Sequence, residues 1–275
     1  MSRSILEEAL RLTDEGVEFA LATVAEARGS VPGKAGAKMI VLADGRQVGT
    51  VGGAGLEEKT KALARKCLAE KKGGLFSFDL MYYKEGGLDS LCGGTVQIVV
   101  EIVPRQPHVL ICGGGHVGLA VARALAPLEY AHSVLDDRPE FAARERFPEA
   151  RRLFPAKPEE FFAREDLGPF THLLILGYSH QIDTAILHEA VKRFPGYIGL
   201  ICSRTKKREI FHRLKARGIS DAELERIDAP VGIPIGAESP AEIAVSIVAS
   251  VVRHHKKGTA REEEHAEETE QAEKP

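Results

Sequence analysis

The chain has 275 residues, 44% of them hydrophobic, with a formal charge of −3 and a pI near 6.4. That length suits one large domain or two ordinary ones, and the near-neutral balance gives no electrostatic footprint for nucleic acid or an anionic membrane surface. No early stretch has the layout of a signal peptide and no apolar run reaches spanning length, so a cytoplasmic protein is expected.

In chain order, Ile5, Leu6, Ala9, Leu10 and Leu12 form an apolar stripe that predicts a helix over 2–16. Phe19 to Val24 reads as a strand. Met39 to Leu42 and Gln47 to Val51 flank Asp44-Gly45, a hairpin turn signal. Residues 55–70 look helical, with Leu56, Leu63, Cys67 and Leu68 near one face, and strands are expected at 76–80 and 95–103. Pro104 and Pro107 then mark a boundary. From His108 the pattern turns to βαβ. Strands are predicted at 108–112, 131–135, 171–176 and 196–201, with helices at 117–126, 158–165, 182–193 and 204–217. A last helix starts at Ser239-Pro240-Ala241-Glu242, a cap, a first-position proline and a third-position acid. Its buried stripe would be Ile243, Ala244, Ile247, Val248 and Val251. The expected fold class is α/β, with a Rossmann-like doubly wound parallel sheet over 108–254 preceded by a smaller α+β domain over 1–104. Residues 256–275, rich in Glu, Lys and Ala, read as a disordered charged tail. There is no internal repeat.

The strongest single motif lies mid-chain. Val109 to Cys112 runs into Gly113-Gly114-Gly115-His116-Val117-Gly118, a G-x-G-x-x-G fingerprint, and a second apolar run ends in Asp136. Gly113 would make the tight turn, Gly115 would let backbone approach a pyrophosphate, and Gly118 would let the helix pack on the strand. The helix N-terminus would face the anion, and Asp136 would reach a ribose hydroxyl. Such an acid disfavours a 2′-phosphate, an effect that Arg138 would soften. His116 either donates to a phosphate or stands in solvent at the helix start. His180 and Asp183 follow the strand at 171–176 and suit a ligand-orienting or acid/base pair, or a purely structural one.

The first hundred residues carry three glycine clusters. They are Gly29-Ser30-Val31-Pro32-Gly33, Gly49-Thr50-Val51-Gly52-Gly53 and Leu91-Cys92-Gly93-Gly94-Thr95. Each reads either as a tight turn between elements or as a nest of backbone N–H groups for an anion. Glu57 is a first-turn helix acid or a site residue. The cysteines Cys67, Cys92, Cys112 and Cys202 form no C-x-x-C pair and read as free thiols, and no His/Cys cluster argues for zinc. Cys67 and Cys112 fit packing positions, whereas Cys202 ends a strand at the carboxyl edge.

With these motifs the chain resembles the XdhC/CoxI family, accessory proteins of molybdenum hydroxylases such as xanthine and carbon monoxide dehydrogenases. The pattern G-S-x-P-R-x-x-G-A-x-M is met by Gly29, Ser30, Pro32, Gly36, Ala37 and Met39. G-T-x-G-G-G-C-L-E is met by Gly49, Thr50, Gly52, Gly53, Leu56 and Glu57, and C-G-G by Cys92, Gly93 and Gly94. In the second half Gly113 to Gly118, Asp136 to Pro139, His180 with Asp183, and Ser203-Arg204 also match. The chain departs from the pattern at Gly33, where arginine is usual, at Gly55, where cysteine is usual, and at Cys202, where glycine is usual.

The resemblance implies a carrier more than an enzyme. It would bind molybdenum cofactor transiently and help deliver it, sulfurated, to an apo molybdenum hydroxylase. A cysteine desulfurase and a second copy of the chain would be its partners. Candidate contacts for the molybdopterin are Ser30, Gly52, Gly53, Glu57, Cys92, Gly93, Gly94, His180 and Asp183. Cys92 would be a molybdenum contact, a persulfide carrier or a neighbour of the dithiolene, or else a small buried thiol. Gly113, Gly115, His116, Gly118 and Asp136 would bind NAD or another nucleotide. The alternatives are an NAD-dependent oxidoreductase, against which no Tyr-x-x-x-Lys set is found, and a nucleotide-sensing regulator.

Overall fold

The computed structural model describes residues 3–80, 94–177 and 179–272, with side chains up to Lys256 apart from Arg3 and Ala54. It divides into two compact units, with the boundary between Arg105 and Gln106.

The first unit contains α1 (Arg3–Asp14), β1 (Phe19–Gly29), β2 (Lys38–Val41), β3 (Gln47–Gly49), α2 (Ala54–Glu70), β4 (Gly74–Asp79) and β5 (Gly94–Val103). The strands form an antiparallel sheet in the order β3-β2-β1-β5-β4. Strand alternation sorts its side chains onto two faces. Ala20, Ala22, Val24, Met39 and Val41 join Leu56, Ala64, Cys67 and Leu68 of α2 in one cluster. Phe19, Ile40 and Leu42 join Ile5 and Leu12 of α1 in another. The stripe read for α1 is only half right. Ile5 and Leu12 are buried, but Leu6 and Leu10 are exposed.

The second unit carries β6 (His108–Cys112), α3 (His116–Leu125), β7 (Ala131–Asp136), β8 (Leu153–Pro155), α4 (Pro158–Arg164), β9 (His172–Ile175), α5 (His180–Arg193), β10 (Tyr197–Leu200), α6 (Arg204–Ala216), α7 (Asp221–Glu225), β11 (Ile227–Asp228) and, up to Gly258, α8 (Pro240–Ala272). Its six strands are parallel, in the order β11-β10-β9-β6-β7-β8. The chain therefore starts in the middle, winds outward one way, and returns to wind the other. This is the arrangement of dinucleotide-binding sheets, with the direction reversing between β6 and β9. Both faces are covered. Leu110 and Cys112 pack with α4, α5 and α6, while Val109 and Ile111 pack with α3 and α8.

Local signals explain the helix starts. The Ser239 hydroxyl accepts from the Glu242 N–H, and the Glu242 carboxylate accepts from the Ser239 and Glu238 N–H groups. The backbone N–H of Ser239, first among these donors, holds the Glu242 carboxyl below its usual range. Ser179 caps α5 by accepting from the Gln181 N–H at 3.2 Å. Ser179→Ala should cost about 1 kcal/mol of stability, read as a lower denaturation midpoint.

Three short elements escape sequence reading. The strands β8 and β11 have three and two residues and α7 has five, too short for any periodicity to show. The segment expected to be a disordered tail is helical, since α8 continues to Ala272. Glu, Lys, Arg and Ala are good helix formers, and a helix already nucleated by packing extends through them at little cost. No helix among the described residues is long and apolar enough to cross a membrane.

Candidate functional site

The carboxyl ends of β6 and β9 define a cleft at the point where the sheet reverses direction. It is lined by Cys112, Gly113, Leu135, Asp136, Asp137, Ala156, Pro158, Gly177, Ile182 and Ile186. Three glycines shape the loop that leads from β6 into α3. Gly113 has φ +118°, and a Cβ there would lie 2.6 Å from the Leu176 carbonyl oxygen. A Cβ on Gly118 would lie 2.0 Å from the Gly113 carbonyl oxygen, so α3 can sit this close to β6 only without a side chain. A Cβ on Gly115 would meet nothing within 4 Å. Gly115 is also the N-cap of α3, in extended conformation and with no side chain of its own to satisfy the first-turn N–H groups. The open side of the loop is thus the side an anion would approach. His116, the first residue of α3, is exposed there.

Asp136 lies beside the loop, but it is turned inward. Its carboxylate accepts from the Gly114 N–H at 2.8 Å and from Arg138 through N, Nε and Nη2 at 3.1, 2.9 and 3.0 Å. The Arg138 guanidinium stacks 3.8 Å from the Phe141 ring centroid, and Arg146 reaches back to donate from Nε to the Gly114 carbonyl at 2.8 Å. The turn Pro139–Phe141 and the residues after it hold the glycine loop in place. No sequence motif marks Arg146, and only the folded chain carries it 32 residues back to Gly114.

Asp183 sits under the β9 end of the same cleft, in the first turn of α5. It is fully buried. A Cβ on Gly177 would lie 2.1 Å from its Oδ1. The Lys206 ammonium stands 2.7 Å from Oδ2 as an ion pair, and neither carboxylate oxygen has a partner in hydrogen-bond geometry. Burial pushes this carboxyl above its usual range, and Lys206 opposes the shift in part. Cys202 is near Lys206 and half-buried, and burial raises its thiol pKa. Burial raises the Cys112 thiol further, so it is an inert packing group. His180 lies apart from Asp183's carboxylate pairing, with Nδ1 3.7 Å from Glu209 on exposed surface.

In the first unit the glycine clusters come together. Gly94 pairs with Gly29 across β5 and β1, and a Cβ on Gly94 would lie 2.3 Å from the Arg28 carbonyl oxygen. Gly33 packs on the Val51 carbonyl at 2.3 Å by the same measure, and Gly52 on the Gly33 nitrogen at 2.9 Å. The 29–33 loop therefore touches both other motifs: Gly29 and Val31 lie against Gly94, and Pro32 and Gly33 lie against Val51 to Gly53, just before α2. Its N-cap is Gly53, which contributes no side-chain hydrogen bond. Glu57 is held there by Thr50, whose hydroxyl donates to it, and by Gln47 at 3.4 Å. Ser30 is exposed on the same loop. Cys92 and Gly93 lie outside the described residues. No group of three or more His, Cys, Asp or Glu side chains among the described residues is placed to hold a metal ion.

Comparison with known families matches residues 109–251 to the XdhC Rossmann domain and residues 12–79 to the XdhC and CoxI family. The chain belongs to the XdhC/CoxI family. An uncharacterized Escherichia coli protein, YqeB, is 32% identical over 253 residues, which cover 91% of this chain and 46% of that protein. A Bacillus subtilis protein named as a probable xanthine dehydrogenase subunit is 26% identical over 163 residues, covering 59% of this chain and 47% of its own length. The chain spans about half the length of these curated relatives. A solved Bacillus halodurans structure described as a xanthine dehydrogenase superposes with TM-score 0.52 at 22% identity, covering 94% and 96% of the two chains, and so shares the fold. Against the usual XdhC/CoxI pattern, the glycine at position 33 is built in, because any side chain there would strike the Val51 carbonyl. Gly55, where the family has cysteine, is an exposed residue of the first turn of α2.

Proposed function

We propose that this XdhC/CoxI chain is an accessory factor for a molybdenum hydroxylase of the xanthine dehydrogenase type. In this reading it holds molybdenum cofactor transiently and assists its sulfuration and insertion. Its partners are the apo-enzyme, a cysteine desulfurase as sulfur donor, and a second copy of itself, in the cytoplasm.

The observation that carries this reading is the packing of the 29–33 loop between two other glycine motifs, with Gly94 at one end and Val51 to Gly53 before the start of α2 at the other. Molybdopterin ends in a phosphate. Backbone N–H groups at a glycine-capped helix start are suited to such a group, because they donate without bulk and the helix dipole favours the charge. Cys92 belongs to the same motif as Gly94, two residues before it, and is the thiol assigned to the dithiolene or its metal. The second unit takes a nucleotide at Gly113 to Gly118, which the open space over Gly115 supports.

The test is Cys92→Ser in protein produced in a host that makes the cofactor. Cysteine to serine is nearly isosteric, so a packing role would cost no more than about 1–2 kcal/mol. The variant is expected to purify folded while losing retained molybdenum and pterin, measured by elemental analysis and pterin fluorescence, and losing activation of the client enzyme. Normal activation by this variant would refute the role given to the thiol.

A further inference from the structure

An acid at the end of the second strand of a dinucleotide-binding sheet ordinarily reads the two ribose hydroxyls, and an arginine nearby instead accommodates a ribose phosphate. This chain has both, and the geometry divides the work between them. An ionised carboxylate offers about four acceptor positions. Asp136 receives four N–H contacts between 2.8 and 3.1 Å, one from the glycine loop and three from Arg138, and its side chain is 1% exposed. Its charge is neutralised inside this pair. A ribose diol would have to displace a contact that holds Gly114 or Arg138 in place.

The guanidinium side of the same spot is built up. Arg138 is 31% exposed, and its guanidinium carbon lies over Phe141, 3.8 Å from the ring centroid. Arg146 faces the same ring at 5.2 Å, and its Nε is anchored on the Gly114 carbonyl at 2.8 Å. Two planar cations fixed on one ring, one of them bonded to the phosphate loop itself, suit a phosphate monoester, for which arginine geometry is well matched. With Asp136 paired to Arg138, Arg146 is a second guanidinium beside the loop, set against Asp137 on the cleft lining.

We propose that the nucleotide cleft selects a dinucleotide bearing a phosphate on its adenosine ribose, with Arg138 and Arg146 as the specificity-determining residues and Asp136 as a clamp on the glycine loop. This rests on the nucleotide reading of the second unit. Asp137 also lines the cleft, and is the acid that would read a diol if the proposal fails.

The test is calorimetric titration of the full chain with NADP and with NAD, repeated with 2′,5′-ADP and 5′-ADP for the adenosine half alone. The phosphorylated member of each pair is expected to bind at least roughly tenfold tighter. Arg138→Gln and Arg146→Gln should each weaken NADP by far more than NAD, so that the ratio of the two affinities falls to near one whatever the loop itself loses. Arg146→Gln keeps the Asp136–Arg138 pair intact, so it serves if the other variant misfolds, and the wild-type comparison needs no variant. NAD binding as tightly as NADP overturns the proposal and leaves the nucleotide reading standing; weakening of NAD by Asp137→Asn would then name the residue that reads the diol. Failure of all four compounds to bind at millimolar concentration overturns both.

Discussion

Gly118→Ala is expected to prevent folding of the second unit, while Gly115→Asp should fold normally and bind no nucleotide. The two glycines belong to one motif, three residues apart, yet they do different work. The added methyl at Gly118 would lie 2.0 Å from the Gly113 carbonyl oxygen and 3.3 Å from the Ile111 side chain. Neither the carbonyl nor the fully buried strand behind it can move away, so α3 must leave the sheet, at about 3 kcal/mol or more. At Gly115 the backbone has φ −64°, which any residue adopts, and the Cβ would meet nothing. Aspartate there can cap α3, which favours stability by a few tenths of a kcal/mol over glycine. The same carboxylate stands where the pyrophosphate would approach and repels it. Circular dichroism melts with and without nucleotide separate the cases. A folded Gly118→Ala protein would show that the close helix–strand approach is not needed. A nucleotide-dependent melting shift surviving in Gly115→Asp would show that the ligand does not sit on this loop.

The contrast between these glycines shows what the sequence makes legible. The parallel sheet, the fingerprint and the helix starts follow from patterns within ten residues, such as the strand running from Val109 into Gly113 or the box from Ser239 to Glu242. The matched motifs also identify the family before any coordinate is known. What sequence leaves hidden is direction and closure. Asp136 occupies the expected position, but its carboxylate turns toward Gly114 because Arg138, two residues on, forks around it. Arg146 donates to Gly114 across a turn whose path no periodicity encodes. His180 and Asp183 look like a pair three residues apart. In the fold, Asp183 goes under Gly177 to meet Lys206, while His180 faces Glu209. The opposite error occurs in α1, where Leu6 and Leu10 look like core because their spacing matches a helix face, but no described element packs over them to bury them.

Asp183→Asn should raise stability near neutral pH and weaken the cleft's function. A carboxylate buried this completely gives up its hydration, and its compensation here is the Lys206 ammonium at 2.7 Å with the weaker field of His180. Desolvation of such a group commonly exceeds the attraction gained, and its pKa accordingly stands above the ordinary value of 3.8. Between that ordinary value and the raised one, the folded chain holds a proton that the unfolded chain has released. Stability from this site is therefore present below the ordinary carboxylate range and is lost as pH rises through the raised pKa. Asparagine has no charge to desolvate, so its contribution stays flat over the same interval. Lys206 is partly exposed and can turn to water when its partner is neutral. The expected gain is about 1 kcal/mol at pH 7, shrinking to nothing in acid, measured by urea denaturation across the pH range. Loss of about 3 kcal/mol at pH 7 would instead mark the pair as net stabilising and structural. A stability gain accompanied by weaker nucleotide binding would identify Asp183 as a group kept at the reversal point of the sheet for its charge, at a cost to the fold.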